Sequence, residues 1–328
     1  MSLPALPQQI THLLLPALLL VSLLFAVSPV SARQETSEPA QLASHSLLLD
    51  IAKAGDRLVA VGERGHVLLS DDNGSSWRQV SVPTRSQLTA VYFSDDQNGW
   101  AVGHDAIILH TRDGGENWSL QHRDEQYDDP LLDVWFSNQQ QGFAVGAYGM
   151  FLSTDNGGNS WDRRQISEDD FHLNAIAALH DGELFMAAEQ GHIYHSEDAG
   201  YNWSELPSPY SGSWFGISAT GENDLIIFGL RGHMFRSSDR GKHWSEVETG
   251  TEASLMAAVR LPDDTLIVVG LGGTVLTSSD NAHTFNARTR EDRKSLTGIL
   301  AGNNDELILS GAAGISRDTA QQRKKATS

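Results

Sequence analysis

Five copies of one short pattern, spaced 41 to 43 residues apart, organise this chain of 328 residues. The pattern is S/T-x-D-x-G-x-x-W. Four copies keep this spacing without a gap: Ser70-Asp72-Gly74-Trp77, Thr111-Asp113-Gly115-Trp118, Ser196-Asp198-Gly200-Trp203 and Ser237-Asp239-Gly241-Trp244. A fixed period of this size predicts an array of one repeated supersecondary unit.

Two copies deviate from the pattern. Ser153-Asp155-Gly157-Trp161 contains one extra residue, and Ser278-Asp280-Ala282-Phe285 is degenerate. The residue types are those of a turn, because hydroxyl and carboxylate oxygens accept backbone N–H groups and Gly permits a positive φ. We call each copy of the pattern a box and interpret its residues as structural. The main box residues are Asp72, Trp77, Asp113, Trp118, Asp155, Trp161, Asp198, Trp203, Asp239 and Trp244.

Each repeat contains four short apolar runs separated by turn residues, which is typical of a propeller blade. The first run can be followed through seven units, at Ile51, Val91, Val134, Ile176, Ile217, Ala258 and Ile299. The runs are too short, and Gly too frequent, for helices. The sequence therefore predicts an all-β protein, a seven-bladed β-propeller over residues 33–317.

Seven units but only six boxes leave the last unit without a fourth strand, since it ends near Arg317. We expect the segment Gln34–His45 to supply that strand and to close the ring, because pairing the two chain ends removes exposed sheet edges. Residues 318–328 then form a basic tail, which we expect to be disordered.

Residues 1–32 contain no Asp, Glu, Lys or Arg, and an apolar run from Leu13 to Val27 precedes the small-x-small site Val30-Ser31-Ala32. This pattern predicts a secretory signal peptide and a periplasmic protein. The absence of Lys and Arg before the run leaves an uncleaved membrane anchor as the alternative. The chain has no Cys and a net charge of −19, which makes nucleic acid an unfavourable partner.

The boxes resemble the Asp-box, or bacterial neuraminidase repeat, and a longer consensus runs from Val61-Gly62 through Gly65 into Ser70. Over residues 46–317 the chain resembles the photosystem II stability/assembly factor family of cyanobacteria and plastids. The resemblance implies a seven-bladed propeller on the lumenal side of the membrane. It also implies a non-enzymatic assembly factor that binds newly made membrane protein through an arginine patch.

The turns between second and third strands vary from blade to blade, which suits a binding surface. Their central residues are Arg64, Asp105, Tyr148, Gln190, Arg231, Gly272 and Ala313. The basic link with Arg288, Arg290 and Arg293 is expected to lie next to the first blade, close to Arg64. We predict that a membrane protein or complex binds through Arg64, Arg231, Arg288, Arg290, Arg293, Tyr148, Tyr127 and Tyr210.

The alternative function is a sialidase-like glycoside hydrolase or a carbohydrate-binding propeller. Its candidate acids are Asp50 and Asp133, which occupy matching first-strand positions, but the Arg-Ile-Pro signature of sialidases is missing near the first blade. His66, His192 and His233 follow the repeat and would be separated around the ring, so we expect no metal site. We also expect no cofactor, no small-molecule substrate and a monomer.

Overall fold

The computed structural model describes Met1 and residues 35–124, 128–303 and 305–319. The predicted signal peptide and almost all of the predicted tail lie outside the described residues. The described part folds into seven antiparallel sheets, each built from consecutive strands, and adjacent sheets pack face to face in a ring. The seven-bladed propeller predicted from the repeat is confirmed.

The first four blades have four strands each, in sequence order. The first blade contains β1 (Leu48–Ala54), β2 (Arg57–Gly62), β3 (Val67–Ser70) and β4 (Arg78–Val80). The second contains β5 (Leu88–Phe93), β6 (Gly99–Gly103), β7 (Ile107–Thr111) and β8 (Ser119–His122). The third contains β9 (Leu131–Phe136), β10 (Gly142–Gly146), β11 (Phe151–Thr154) and β12 (Asp162–Arg163). The fourth contains β13 (Leu173–Ala178), β14 (Leu184–Ala188), β15 (Ile193–Ser196) and β16 (Ser204–Glu205).

The last three blades continue the same order. The fifth contains β17 (Trp214–Ala219), β18 (Leu225–Gly229), β19 (Met234–Ser237) and β20 (Ser245–Glu246). The sixth contains β21 (Leu255–Arg260), β22 (Leu266–Gly270), β23 (Thr274–Ser278) and β24 (Asn286–Thr289). The seventh contains β25 (Leu296–Ala301), β26 (Glu306–Gly311) and β27 (Ser316–Thr319). The described residues also form six single 3-10 turns, which are Ala43–His45, Glu63–Gly65, Ala147–Gly149, Glu189–Gly191, Leu230–Gly232 and Leu271–Gly273.

The hydrophobic core lies between the blades, as seven clusters among the described residues, each shared by two neighbours. The second strand of a blade is covered on both sides, which explains its continuous apolar run. In six of the seven blades it ends at a Gly where another backbone approaches closely, and in the fourth blade it ends at Ala188. A Cβ added to Gly62 would meet the carbonyl oxygen of Leu47 at 2.2 Å, so no larger residue fits without a shift.

The ring closes differently from the sequence-based expectation. Residues 35–47 form no strand, and β27 pairs only with β26 within the described chain. The predicted fourth strand from Gln34–His45 is therefore wrong for its described residues. The amide of Ile315 instead donates to the carbonyl of Ser44, and β1 packs directly against β25 and β26. The predicted tail boundary is also wrong by at least two residues, since β27 includes Asp318 and Thr319.

Candidate functional site

The boxes form one end of the propeller, where the third strand of a blade turns into the fourth. In the first blade, Ser70 Oγ donates to Asp72 Oδ1 at 2.8 Å and accepts from the amide of Gly74 at 2.8 Å. Hydrogen bonds from Ser76 lower the pKa of Asp72 to about 2. The indole N–H of Trp77 donates to the carbonyl of Gly74. All these contacts lie within one turn, so they stabilise the hairpin.

The box of the third blade is one residue out of register with the sequence prediction. Thr154 Oγ1 accepts from the amide of Gly158, and Asn156 Oδ1 accepts from the amide of Ser160. Asn156 therefore takes the position predicted for Asp155, which is exposed. The assignment of Asp155 as a box residue is wrong, because Thr154-Asn156-Gly158-Trp161 fits the common spacing without an insertion.

The opposite end of the propeller, here called the turn face, consists of the turns between second and third strands and the links between blades. The two features touch in the third and fifth blades. The amide of Gly149 donates to the carbonyl of Phe171, and Thr249 Oγ1 donates to the carbonyl of Gly232. In these blades the turn is therefore packed against the link that follows its own blade.

Side chains at the tips of these turns sit on a left-handed backbone. In six of the seven turns the central residue has a φ between 53° and 64°, and these residues are Arg64, Asp105, Tyr148, Gln190, Arg231 and Gly272. Only Gly adopts this region freely, and a larger residue there costs about 1–2 kcal/mol. Large side chains at strained and exposed positions favour a function for those side chains over a role in folding.

Three of the five predicted arginines have unpaired side chains. Arg64, Arg231 and Arg293 are exposed, and within the described chain their guanidinium groups make no ion pair or hydrogen bond. They stand in different surroundings. Arg64 shares a cleft with Arg85, whereas Arg231 lines a pocket with three glutamates, Glu246, Glu248 and Glu252.

Arg288 and Arg290 are held within the fold. Both donate to Asp318 Oδ2, at 2.7 and 3.2 Å, and the Asp318 side chain is 8% exposed. Arg290 also pairs with Asp292 and is 14% exposed. These contacts join the link after the sixth blade to β27, so neither guanidinium is free for a partner in this arrangement.

The basic link is also misplaced in the sequence-based expectation. The amide of Arg290 donates to the carbonyl of Gly273, in the turn of the sixth blade. The seventh blade separates the sixth from the first, since β25 packs between β21 and β1. The expectation that this link lies next to the first blade, near Arg64, is therefore wrong.

The predicted tyrosines differ in their exposure. Tyr148 is 55% exposed and contacts His172 edge-on, with ring centroids 5.0 Å apart. Tyr210 is partly buried, with its ring stacked on His233 at 4.2 Å. Tyr127 lies outside the described residues. Of the two predicted tyrosines that the structure describes, only Tyr148 is exposed.

Two carboxylates face the central channel, in a cavity of about 310 Å³. Asp50 accepts from the amides of Ile51 and Val91, while Asp133 accepts from those of Val134 and Ile176. Burial raises the pKa of Asp50 to about 6 and that of Asp133 to about 7. Each side chain joins its own blade to the next, which explains both acids without a catalytic role.

Sequence reasoning missed Arg85 and Glu38. Arg85 lies in the link after the first blade and pairs with Glu38, which precedes the propeller. Neither belongs to a repeated position or to a charge run. The periodic pattern therefore gave no signal for them, and their proximity follows only from the path of residues 35–47.

No group of three or more His, Cys, Asp or Glu side chains suited to a metal is found in the described ranges. Across the same residues, no helix has the length and apolar character needed to span a membrane.

The sequence profile of the family described as Photosynthesis system II assembly factor YCF48 matches residues 30–128 and 121–297. Together these matches span well over half of the chain. The chain belongs to this family. The YCF48 description names an assembly factor, in agreement with what the family resemblance implies.

Curated relatives match over shorter stretches. The Photosystem II assembly protein Ycf48 of Thermosynechococcus vestitus is 39% identical over 135 residues, which are 40% of this chain and 38% of that protein. The Photosystem II assembly lipoprotein Ycf48 of Trichormus variabilis is 44% identical over 132 residues, 39% and 38% of the two chains. The chain thus spans less than two fifths of the length of these relatives.

Solved structures share the YCF48 fold at low identity. One described as YCF48 bound to D1 peptide has a TM-score of 0.70 and 18% identity, covering 87% of this chain and 94% of that chain. A streptogramin B lyase has a TM-score of 0.72 and 14% identity, covering 86% and 96%. Since an assembly factor and a lyase match equally well, these likenesses show the propeller fold alone.

Proposed function

We propose that this protein is an exported, non-enzymatic assembly or stability factor that binds a membrane protein or complex through its turn face. The proposal rests on two exposed arginines on left-handed turn tips, Arg64 and Arg231, whose guanidinium groups have no partner among the described residues. Guanidinium groups bind carboxylates with two parallel hydrogen bonds, so an acidic or carboxyl-terminal segment is the suited partner.

Two features of related proteins support this partner class. One fold relative is described as bound to a D1 peptide, and cyanobacterial relatives are named as photosystem II assembly proteins. The name lipoprotein in three relatives agrees with export to the periplasmic side. We propose that this chain acts there as a monomer and that Arg293 and Tyr148 extend the surface.

The test is capture of the partner from cells by cross-linking, solubilisation and mass spectrometry. The double variant Arg64→Glu/Arg231→Glu should lose one specific membrane protein that the wild type retains, with little change in melting temperature. The matched control, Arg112→Glu/Lys242→Glu, makes the same charge change at exposed residues of the box end and should retain the partner. Equal capture by both variants would contradict the proposed surface.

A further inference from the structure

The lining of the central cavity differs from one side of the channel to the other. In the described chain, cavity-lining side chains bridge five of the seven junctions between blades, and these are Asp50, Asp133, Thr89, Asn174 and Thr297. Each makes a hydrogen bond of 2.6 to 2.8 Å to the backbone of the next blade. At the two junctions of the sixth blade, the cavity is lined instead by the apolar side chains of Phe215, Met256 and Ala257.

The same side of the channel has backbone amides without a carboxylate. The innermost strand of every blade carries a bulge, and the residue after it is equivalent in register from blade to blade. In the first four blades the N–H of this residue faces the channel and donates to Asp50 or Asp133. In the last three blades the equivalent residues are Ile217, Ala258 and Ile299.

The three amides have no acid within reach of the pattern. The positions that could hold one carry only a hydrogen or a methyl group, and these are Ala175, Gly216, Ala257 and Gly298. The register therefore leaves three N–H groups facing the channel without a carboxylate to accept from them. A ligand that enters here must supply an acceptor oxygen.

Charge decides which acceptor suits these amides. Asp50 and Asp133 line the same cavity, its described lining contains no cationic side chain, and the chain has a net charge of −19. An anion would therefore be repelled. Both oxygens of each carboxylate already accept a backbone N–H, which lowers their capacity to bind a cation. An uncharged carbonyl group meets neither obstacle, and its oxygen has two lone pairs for hydrogen bonds.

The apolar wall and the volume of the cavity define the rest of the ligand. Phe215 and Met256 are partly exposed, and Met256 lies on the same strand, β21, as Ala258. The volume of about 310 Å³ is at the small end of the range of about 300–1,000 Å³ for ligand pockets. This suits a molecule built on one ring, which aromatic and thioether side chains contact favourably.

We propose that the central cavity binds a small uncharged carbonyl compound, whose oxygen accepts from the amide of Ala258 or Ile299 while its apolar ring contacts Phe215 and Met256. The chemical class is an amide or ketone of about the size of a single substituted ring. The proposal concerns binding alone, and it is independent of the partner proposed for the turn face.

The test uses the full chain at pH 8, above the pKa values of about 6 and about 7 of the two channel acids. Four probes share one ring: benzamide, benzoate, benzylamine and toluene. Binding is followed through the NMR resonance of the Met256 methyl group, which is assigned with Met256→Leu. Benzamide should shift this resonance and bind at least about fivefold more tightly than benzoate, because the ionised acids repel the anion. Toluene, which has no acceptor, should bind more weakly than benzamide.

Ala257→Asp places a carboxylate at the position equivalent to Asp50 and Asp133. By register its oxygens can accept from the amides of Ala258 and Ile299, as Asp50 accepts from Ile51 and Val91. It should weaken benzamide binding at least about tenfold. The matched control is Ala175→Asp, the same change at the equivalent cavity-lining position of the fourth blade, which should alter the affinity by less than about twofold.

Phe215→Ala gives a second measurement that adds no charge. It should weaken benzamide binding by about threefold to tenfold through lost apolar contact, and the melting temperatures of all variants show whether they fold. Tighter binding of benzoate or benzylamine than of benzamide would overturn the proposal, and so would equal weakening by Ala257→Asp and Ala175→Asp. An unchanged Met256 resonance with benzamide, combined with lost membrane-partner capture in Ala257→Asp, would assign the cavity to the partner chain and also refute the proposal.

Discussion

The carboxylate of Asp133 lies in the third blade and accepts a hydrogen bond of 2.7 Å from the amide of Ile176 in the fourth. Asp50 makes the equivalent contact with Val91, from the first blade to the second. Neutral side chains also join neighbouring blades. Thr297 Oγ1 in the seventh blade donates to the carbonyl of Leu48 in the first at 2.8 Å. Side chains around the channel thus join neighbouring blades directly.

The two acids predict a pH dependence of stability. Their pKa values rise from 3.8 to about 6 and about 7, because burial disfavours the charged form and no cationic side chain lines the described cavity. A raised pKa contributes stability that is complete below the unfolded value and is lost as pH rises through the folded value. The contribution of these acids to the free energy of unfolding should therefore decrease as pH rises from about 4 to about 7, by about 1.4 kcal/mol for each unit by which a pKa is raised.

Urea unfolding at pH 5 and pH 8 measures this effect. Asp133→Asn should reduce the difference between the two pH values. It should also cost about 1–3 kcal/mol at pH 5, because an amide side chain offers only one acceptor oxygen for the two backbone N–H groups. Asp155→Asn, at an exposed acid, should leave the pH dependence unchanged. An equal dependence in wild type and Asp133→Asn would show that the buried acid is not its source.

The corrected register of the third box predicts opposite outcomes for two adjacent substitutions. Asn156→Ala removes the acceptor of the Ser160 amide and the partner of Thr154, so it should cost about 1–2 kcal/mol. Asp155→Ala should stay within about 0.5 kcal/mol of wild type, as exposed substitutions usually do. Thermal or urea unfolding of the two variants decides between the registers, and the reverse order would restore Asp155 to the box.

The fold followed from the repeat because a fixed period constrains every blade at once. The predicted register of the third box is wrong because the pattern was read with Asp at its third position, and the segment fits it only with an extra residue. The hydrogen bonds require only an acceptor oxygen, which Asn supplies. The closure of the propeller ring depends on contacts between segments that do not repeat, and so does the pairing of Arg290 with Asp318. The repeat period carries no information about such contacts.

Asp318 is predicted to stabilise the last strand of the ring. It receives hydrogen bonds from Arg288 and Arg290, and its loss would leave the poorly exposed Arg290 with only Asp292. Asp318→Ala should therefore lower the free energy of unfolding by about 1–3 kcal/mol. Asp162→Ala is the matched control, because Asp162 is an exposed acid on the outer strand β12. Equal stability of the two variants would contradict the role of Asp318.

The strained turn tips predict a conflict between stability and binding. Arg231 has a φ of 56°, and replacing it with Gly relieves about 1–2 kcal/mol of backbone strain while adding about 0.5–1 kcal/mol of unfolded-chain entropy. Arg231→Gly should therefore keep or raise the melting temperature, yet weaken capture of the membrane partner. Arg64→Gly, with a φ of 57°, should behave in the same way.

Arg112→Gly is the matched control for these variants. Arg112 is exposed on the box end and has no positive φ, so its replacement relieves no strain and should cost about 0.5–1 kcal/mol while leaving capture intact. Differential scanning calorimetry and the cross-linking capture measure the two effects on the same proteins. A fall in melting temperature for Arg231→Gly as large as that for Arg112→Gly would show that Arg231 stabilises its turn and that its positive φ does not indicate a binding role.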